Sequence, residues 1–151
     1  MGLLDDIPEG SLVALDTVAW IYEVEAHVHF GPIVHPFFRD RLDEGKNRAG
    51  SSLLALGELL VQPLSAGRKD LADRYRQFFV SGGGFQVWEV TRSVVERAAD
   101  LRARYRVKML DALHLASALE NEAELFVSND AELRRVKELR VVILSDYLTT
   151  G

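Results

Sequence analysis

Five short apolar runs, separated by helix-patterned segments, constrain what this chain can fold into more than any other feature. Leu12–Leu15, Ser51–Leu54, Gln86–Val90, Leu125–Ser128 and Arg140–Leu144 are together rich in Val, Ile, Leu and Phe. Their composition and length suit strands covered on both faces. Between them, Leu54, Leu56, Leu59 and Leu60 mark a helix over Leu53–Leu64, which Pro63 and Gly67 close. Leu71, Tyr75, Phe78 and Phe79 mark another over Leu71–Val80, stopped by Ser81-Gly82-Gly83-Gly84. Apolar residues recur every three or four positions over Thr91–Tyr105 and again over Met109–Ala123. Strands that alternate with helices pair in parallel, with helices on both faces. The expected architecture is therefore a three-layer α/β/α sandwich around a central parallel sheet. In such sheets the chemistry gathers at the carboxyl edge of the strands, near a switch in strand order.

The chain has 151 residues and no linker, repeat or low-complexity tract, so residues 1–151 read as a single domain. It contains no cysteine, which excludes disulfides, thiolate metal sites and cysteine nucleophiles. That fits a reducing compartment, and a cytoplasmic location is expected. The opening residues Met-Gly-Leu-Leu-Asp-Asp offer neither a basic flank nor a long apolar run, so no signal peptide is expected. No stretch is apolar enough for a membrane span. The net charge of −5 argues mildly against binding nucleic acid through global electrostatics. The argument weakens when the acids are concentrated in one site that a cation can neutralise.

Four acids are delivered to that carboxyl edge. Asp16 directly follows the first strand, and Asp130 follows the fourth after Asn129. Glu58 lies in the opening turns of the helix that leaves strand two. Asp111 opens a helix that must run back antiparallel to strand four, so its first turn reaches the same rim. Clustered carboxylates repel, and burial disfavours their charged forms unless a cation is bound. Mg²⁺ and Mn²⁺ take oxygen ligands, commonly one or two carboxylates together with water and phosphate oxygens. The competing reading makes Asp16, Asp130 and Asp111 simple helix N-caps. Glu58 is harder to dismiss, because it lies within the apolar stretch Leu53–Val61, where an unpaired acid is costly.

At these residues the chain resembles the PIN-domain family, specifically its VapC-like branch of toxin ribonucleases. Leu15-Asp16-Thr17 with Ile21 is similar to the family's first motif, and Glu58-Leu59-Leu60 to its second. Leu110-Asp111-Ala112-Leu113-His114-Leu115-Ala116-Ser117-Ala118 resembles the D-A-x-H-L-A-x-A helix, and Ser128-Asn129-Asp130 resembles the T-N-D motif. The match runs from about Leu12 to Leu144. It implies that Asp16, Glu58, Asp111 and Asp130 are catalytic and hold Mg²⁺ or Mn²⁺, with Thr17 and Asn129 as supporting groups that orient them. It further implies strand order 3-2-1-4-5, an RNA substrate, a homodimer and an antitoxin protein as partner. Ser128 replaces the usual Thr and keeps the hydroxyl. Leu133 stands where an aromatic residue often follows the last acid. The segment His27–His35 has no counterpart in the family pattern.

Other features weigh less. His27, His29 and His35 suggest zinc, but no further ligand stands at a recognisable spacing, and Gly31-Pro32 marks a loop or helix entry. His114 neighbours Asp111 on its helix and reads first as a packed or hydrogen-bonded histidine. Arg97, Arg102, Arg104, Arg106 and Lys108 precede Asp111, and Arg39, Arg41, Lys46 and Arg48 precede strand two. Each group is either a phosphate guide or a solvated face. Trp20 and Tyr22 read as core and interface residues. The expected function is metal-dependent endoribonuclease, the toxin of a toxin–antitoxin pair. The alternatives are a catalytically silent RNA-binding or scaffold protein of the same fold, and a different Mg²⁺ phosphotransfer enzyme. No Gly-rich loop follows strand one, which disfavours nucleotide binding.

Overall fold

The architecture was obtained as a computed structural model that describes residues 2–149. Five strands, β1 (Leu12–Leu15), β2 (Arg48–Ser52), β3 (Phe85–Trp88), β4 (Leu125–Ser128) and β5 (Arg140–Ile143), form one parallel sheet in the order 3-2-1-4-5. The expected sandwich and strand order are both present. Successive side chains of a strand face opposite sides, and β1 shows the consequence. Val13 and Leu15 enter a core with helices α1 (Thr17–Val24), α2 (Gly31–Pro36), α3 (Leu53–Ser65) and α4 (Lys69–Phe78). Leu12 and Ala14 enter a second core with α5 (Arg92–Tyr105) and α6 (Met109–Glu120). Residue 126 of β4 likewise turns away from Leu125 and Val127. No helix among the described residues is long and apolar enough to cross a membrane.

β1 and β4 stand where the apolar runs place them, because all their residues are buried. β2 does not. Only the first half of the run Ser51–Leu54 is strand: β2 spans Arg48–Ser52, and Leu53 already begins α3. The reason is local, since the Ser52 side chain accepts a hydrogen bond from the Leu54 amide at 3.2 Å and caps the helix. β3 is shifted in the same sense, ending at Trp88 with Glu89 and Val90 exposed beyond it. Glycine is required within β2. A Cβ on Gly50 would lie 2.1 Å from the Trp88 ring, so the indole lies directly against this stretch of backbone.

The sequence pattern assigns no regular element between β1 and β2, yet the chain there is mostly helical. Asp16 starts α1, Pro32 opens α2, and a π-helical turn continues through Phe37–Leu42. Pro36 lacks an amide hydrogen, and the hydrogen bonds that follow are wide, as from the Asp43 amide to the Phe38 carbonyl at 2.9 Å. Gly31-Pro32 is therefore a helix entry rather than a loop.

Candidate metal centre

Asp16 leaves β1 at the centre of the sheet. Its amide still donates to the Val127 carbonyl of β4 at 2.9 Å, which ties its backbone to the neighbouring strand. The carboxylate then serves two masters. Oδ1 accepts from the Thr17 amide at 2.8 Å, capping α1, and Oδ2 accepts from the Ser128 hydroxyl at 2.7 Å. Ser128 Oγ in turn accepts from the Asp130 amide at 3.2 Å, so one hydroxyl joins the ends of β1 and β4. Asp130 is exposed and caps the 3-10 turn Ala131–Arg135 by accepting from the Glu132 amide at 3.0 Å. Capping and site formation are thus compatible at both aspartates.

Glu58 sits in the second turn of α3, and Asp111 in the first turn of α6. Both are half-buried. Glu58 Oε1 accepts from the Thr17 hydroxyl at 2.8 Å and meets His114 Nε2 at 2.5 Å. Asp111 caps nothing, since Lys108 occupies the N-cap position of α6, and no hydrogen bond reaches its carboxylate among the described residues. Asp16, Thr17, Glu58, Asp111, Ser128, Asn129 and Asp130 all line one open cavity of about 490 Å³, together with Val18, Ile21 and Tyr22.

The electrostatics separate these groups. Partial burial favours the neutral form of Glu58, but hydrogen bonds from His114 and Thr17 and the charge of His114 outweigh it, and its pKa is lowered. Burial also opposes a charge on His114, which is only 4% exposed. Its bond to Glu58 and the fields of Asp16, Glu58 and Asp111 prevail, and the imidazole pKa is raised. For Asp111, burial comes first and repulsion by Asp16 and Asp130 next. Glu58 adds to these, His114 opposes them, and the pKa is raised. The cavity therefore holds one carboxylate without hydrogen bonds whose charge its neighbours disfavour. Among the described residues, no three His, Asp or Glu side chains already stand as a ready chelate.

The remaining residues sort themselves. Thr17 orients Glu58. Asn129 bonds elsewhere, donating to the Tyr22 hydroxyl at 3.1 Å and accepting from the Ser145 amide at 2.9 Å, so it braces α1 and the segment after β5. Beside Thr17, the direct side-chain links to acids on this rim come from Ser128 and His114, which the motif pattern did not single out as supports. The spacing Ser128-Asn129-Asp130 carried a signal for the first, because a hydroxyl two residues before an amide commonly accepts from it. Among the histidines of the unmatched segment, His27 Nδ1 accepts from the His29 and Phe30 amides, each at 3.2 Å. His35 pairs with Glu23 at 2.7 Å. Both have structural partners.

A model of the PIN domain matches residues 13–139. The chain belongs to the PIN-domain family. No curated protein matches this PIN domain significantly. Solved structures share its fold at low identity. A chain of a toxin–antitoxin complex from Klebsiella pneumoniae superposes with a TM-score of 0.65 at 19% identity, over 87% of this chain and 97% of that one. VapC20 of Mycobacterium tuberculosis, described as a sarcin-ricin loop cleaving toxin, gives a TM-score of 0.68 at 16% identity, over 85% and 98%. A chain of VapBC2 from Rickettsia felis, bound to a DNA fragment from its promoter, gives 0.67 at 15%, over 87% and 98%.

Proposed function

We infer that this PIN domain is a metal-dependent endoribonuclease whose Mg²⁺ or Mn²⁺ is held by Asp16, Glu58, Asp111 and Asp130. One observation carries the reading. Four carboxylates from separate parts of the chain open into one cavity, and one of them, Asp111, has no hydrogen bond among the described residues while its neighbours oppose its charge. Such an arrangement costs stability unless a cation compensates it. The oxygen-only donor set suits a hard divalent ion. Mg²⁺ keeps much of its water and needs few carboxylates, so the site does not require three acids converged in advance.

When bound, such ions supply a water activated for attack and charge stabilisation at the leaving oxygen of a phosphodiester. The chain's own residues do the positioning. Ser128 fixes the Asp16 carboxylate relative to β4, and Thr17 with His114 fixes Glu58. The cavity is open to solvent, and Val18, Ile21 and Tyr22 give it an apolar wall. Hydrolysis of a panel of single-stranded and structured RNAs should require added Mg²⁺ or Mn²⁺ and stop with a chelator. Asp16→Asn, Glu58→Gln and Asp111→Asn should each abolish it. Cleavage that survives Asp16→Asn combined with Asp111→Asn would sink the assignment, whereas RNA binding with no cleavage under any metal would favour a silent scaffold.

The same reading makes the chain the toxin of a toxin–antitoxin pair, supported by neighbours solved in such complexes. A small DNA-binding protein encoded beside it that co-purifies with it would support the pairing. We also read the protein as a homodimer, since the mutually packed helices α3 and α4 expose Val61, Leu64 and Phe78.

A further inference from the structure

We propose that Arg106, Lys108 and Arg135 form a phosphate subsite beside the acidic cavity, gripping the RNA strand one step away from the bond that is cut. The proposal rests on the nuclease reading above and adds to it where the substrate backbone runs.

The structure separates the basic residues upstream of Asp111 into two groups. Arg97 is held by Glu120 at 2.6 Å, and Arg104 by Asp100 and Glu138 at 2.7 and 2.6 Å. Arg102 donates to the Val107 carbonyl at 3.0 Å, closing the end of α5. These three have intramolecular work. Arg106 and Lys108 have no ion-pair partner among the described residues, and both are exposed. They line a recess of about 100 Å³ whose other walls include Asp111, Asp130 and Arg135. Arg135 comes from a different segment, the 3-10 turn that follows Asp130, and uses its Nε to bond the Glu132 carbonyl at 3.1 Å. Its terminal nitrogens are not engaged by any carboxylate among the described residues. Glu132 is the one further acid on this rim.

The backbone at Arg106 allows a clean substitution. It ends α5 in the left-handed conformation, with φ 57° and ψ 31°. Glycine is the favoured residue there because a side chain is strained in that region. A chain that needed only to stop the helix would gain by using glycine. Ala26 and Glu122 take the same conformation after α1 and α6, so the strain is shared by three helix ends, and at Arg106 it holds a cation beside the acids.

The chemistry of the recess suits a phosphodiester. Guanidinium groups match phosphate oxygens with a planar fork, and Lys108 adds a point charge. An overall charge of −5 gives RNA no general attraction, and the acids repel it. Three cations from two segments beside Asp111 and Asp130 supply attraction where the strand must lie.

The test uses the full chain, a fluorescein-labelled single-stranded RNA of twelve nucleotides, and anisotropy in chelator at several salt concentrations. Cleavage of the same RNA in Mn²⁺ is followed in parallel. Each phosphate contact on a single strand contributes a slope of roughly 0.7 in log K against log salt. Arg106→Gly combined with Lys108→Ala and Arg135→Ala should therefore flatten the slope by about 2. Between about 50 and 200 mM salt, the wild type should then lose about twentyfold more affinity than the triple variant. Arg106→Gly alone keeps the left-handed turn, so it should melt at or above the wild-type temperature while still binding RNA more weakly. Arg76→Ala, which removes a cation paired with Asp73 on α4, should leave the slope unchanged. Wild-type cleavage accompanied by unchanged slope and affinity in the triple variant would overturn the subsite and leave the nuclease reading intact. A wild type that neither cleaves nor binds RNA would overturn both.

Discussion

Among the described residues Asp111 is the acid of the rim with no hydrogen bond to hold it, whereas Asp16, Glu58 and Asp130 each accept at least one. Its charge is a folding cost in the metal-free protein. Its pKa in the folded state is raised, so the favourable contribution is complete below the ordinary aspartate range and is lost as pH rises through the folded value. The Asp111 contribution, read as the difference between the metal-free wild type and Asp111→Asn, should therefore turn unfavourable across the window just above ordinary aspartate titration. Asp111→Asn should remove that loss and leave the metal-free protein as stable or up to ~1 kcal/mol more so at neutral pH. Saturating Mn²⁺ should raise the melting temperature of the wild type and do so less in the variant. Thermal melts from pH 4 to 8, with and without the ion, measure each part. A variant that melts well below the wild type without metal would show that Asp111 is structural. The acids themselves were legible in the sequence because each lies at a strand end or in an early turn of a helix. The local link of Ser128 to the Asp130 amide had a signal in the spacing, but its bond to Asp16 across 112 residues and that of His114 to Glu58 across 56 did not. Tertiary pairing of that kind leaves no local pattern.

Element boundaries follow the same logic of local against distant causes. β1 and β4 are buried on both faces, so their apolar runs and their limits coincide. β2 is built from Arg48-Ala49-Gly50-Ser51-Ser52, which carries little hydrophobic signal, and the leucines that drew attention belong to α3. The small residues have their own reason. Gly50 makes room for the Trp88 ring, and Ser51 accepts from the Trp20 indole at 2.9 Å while donating to the Leu15 carbonyl at 2.7 Å. Gly50→Ala should therefore destabilise the protein by roughly 1–3 kcal/mol through overpacking. Combined with Trp88→Leu it should cost less than the two changes summed, because the second removes what the methyl strikes. Denaturant titrations of the two single variants and the double variant give the coupling directly. Additive costs would mean that the indole is not the obstacle. α2 and the wide-turned segment after it escaped the pattern because two prolines and the wider turn break the usual period.

At the scale of the molecule, the layers are unequal in what they leave uncovered. α3 and α4 present Val61, Leu64 and Phe78 to solvent, with Val61 64% exposed. If that face joins two copies, light scattering should give about twice the 16.9 kDa chain mass, and Val61→Asp with Leu64→Asp should return it to one. A monomeric wild type at high concentration would remove the dimer from the picture. The two hydrophobic cores have a different consequence. Asp16 and Glu58 are carried by helices packed on one side of the sheet, and Asp111 by α6 on the other, so the acidic cavity opens on the seam between two half-molecules. Catalytic constellations lose about a hundredfold for a displacement of an ångström. On the nuclease reading, a compound would not have to compete with RNA or chelate an ion to silence this protein. A wedge that slid α6 slightly along the sheet would separate the acids while both halves stayed folded, and inhibitor searches confined to the charged cleft would miss it.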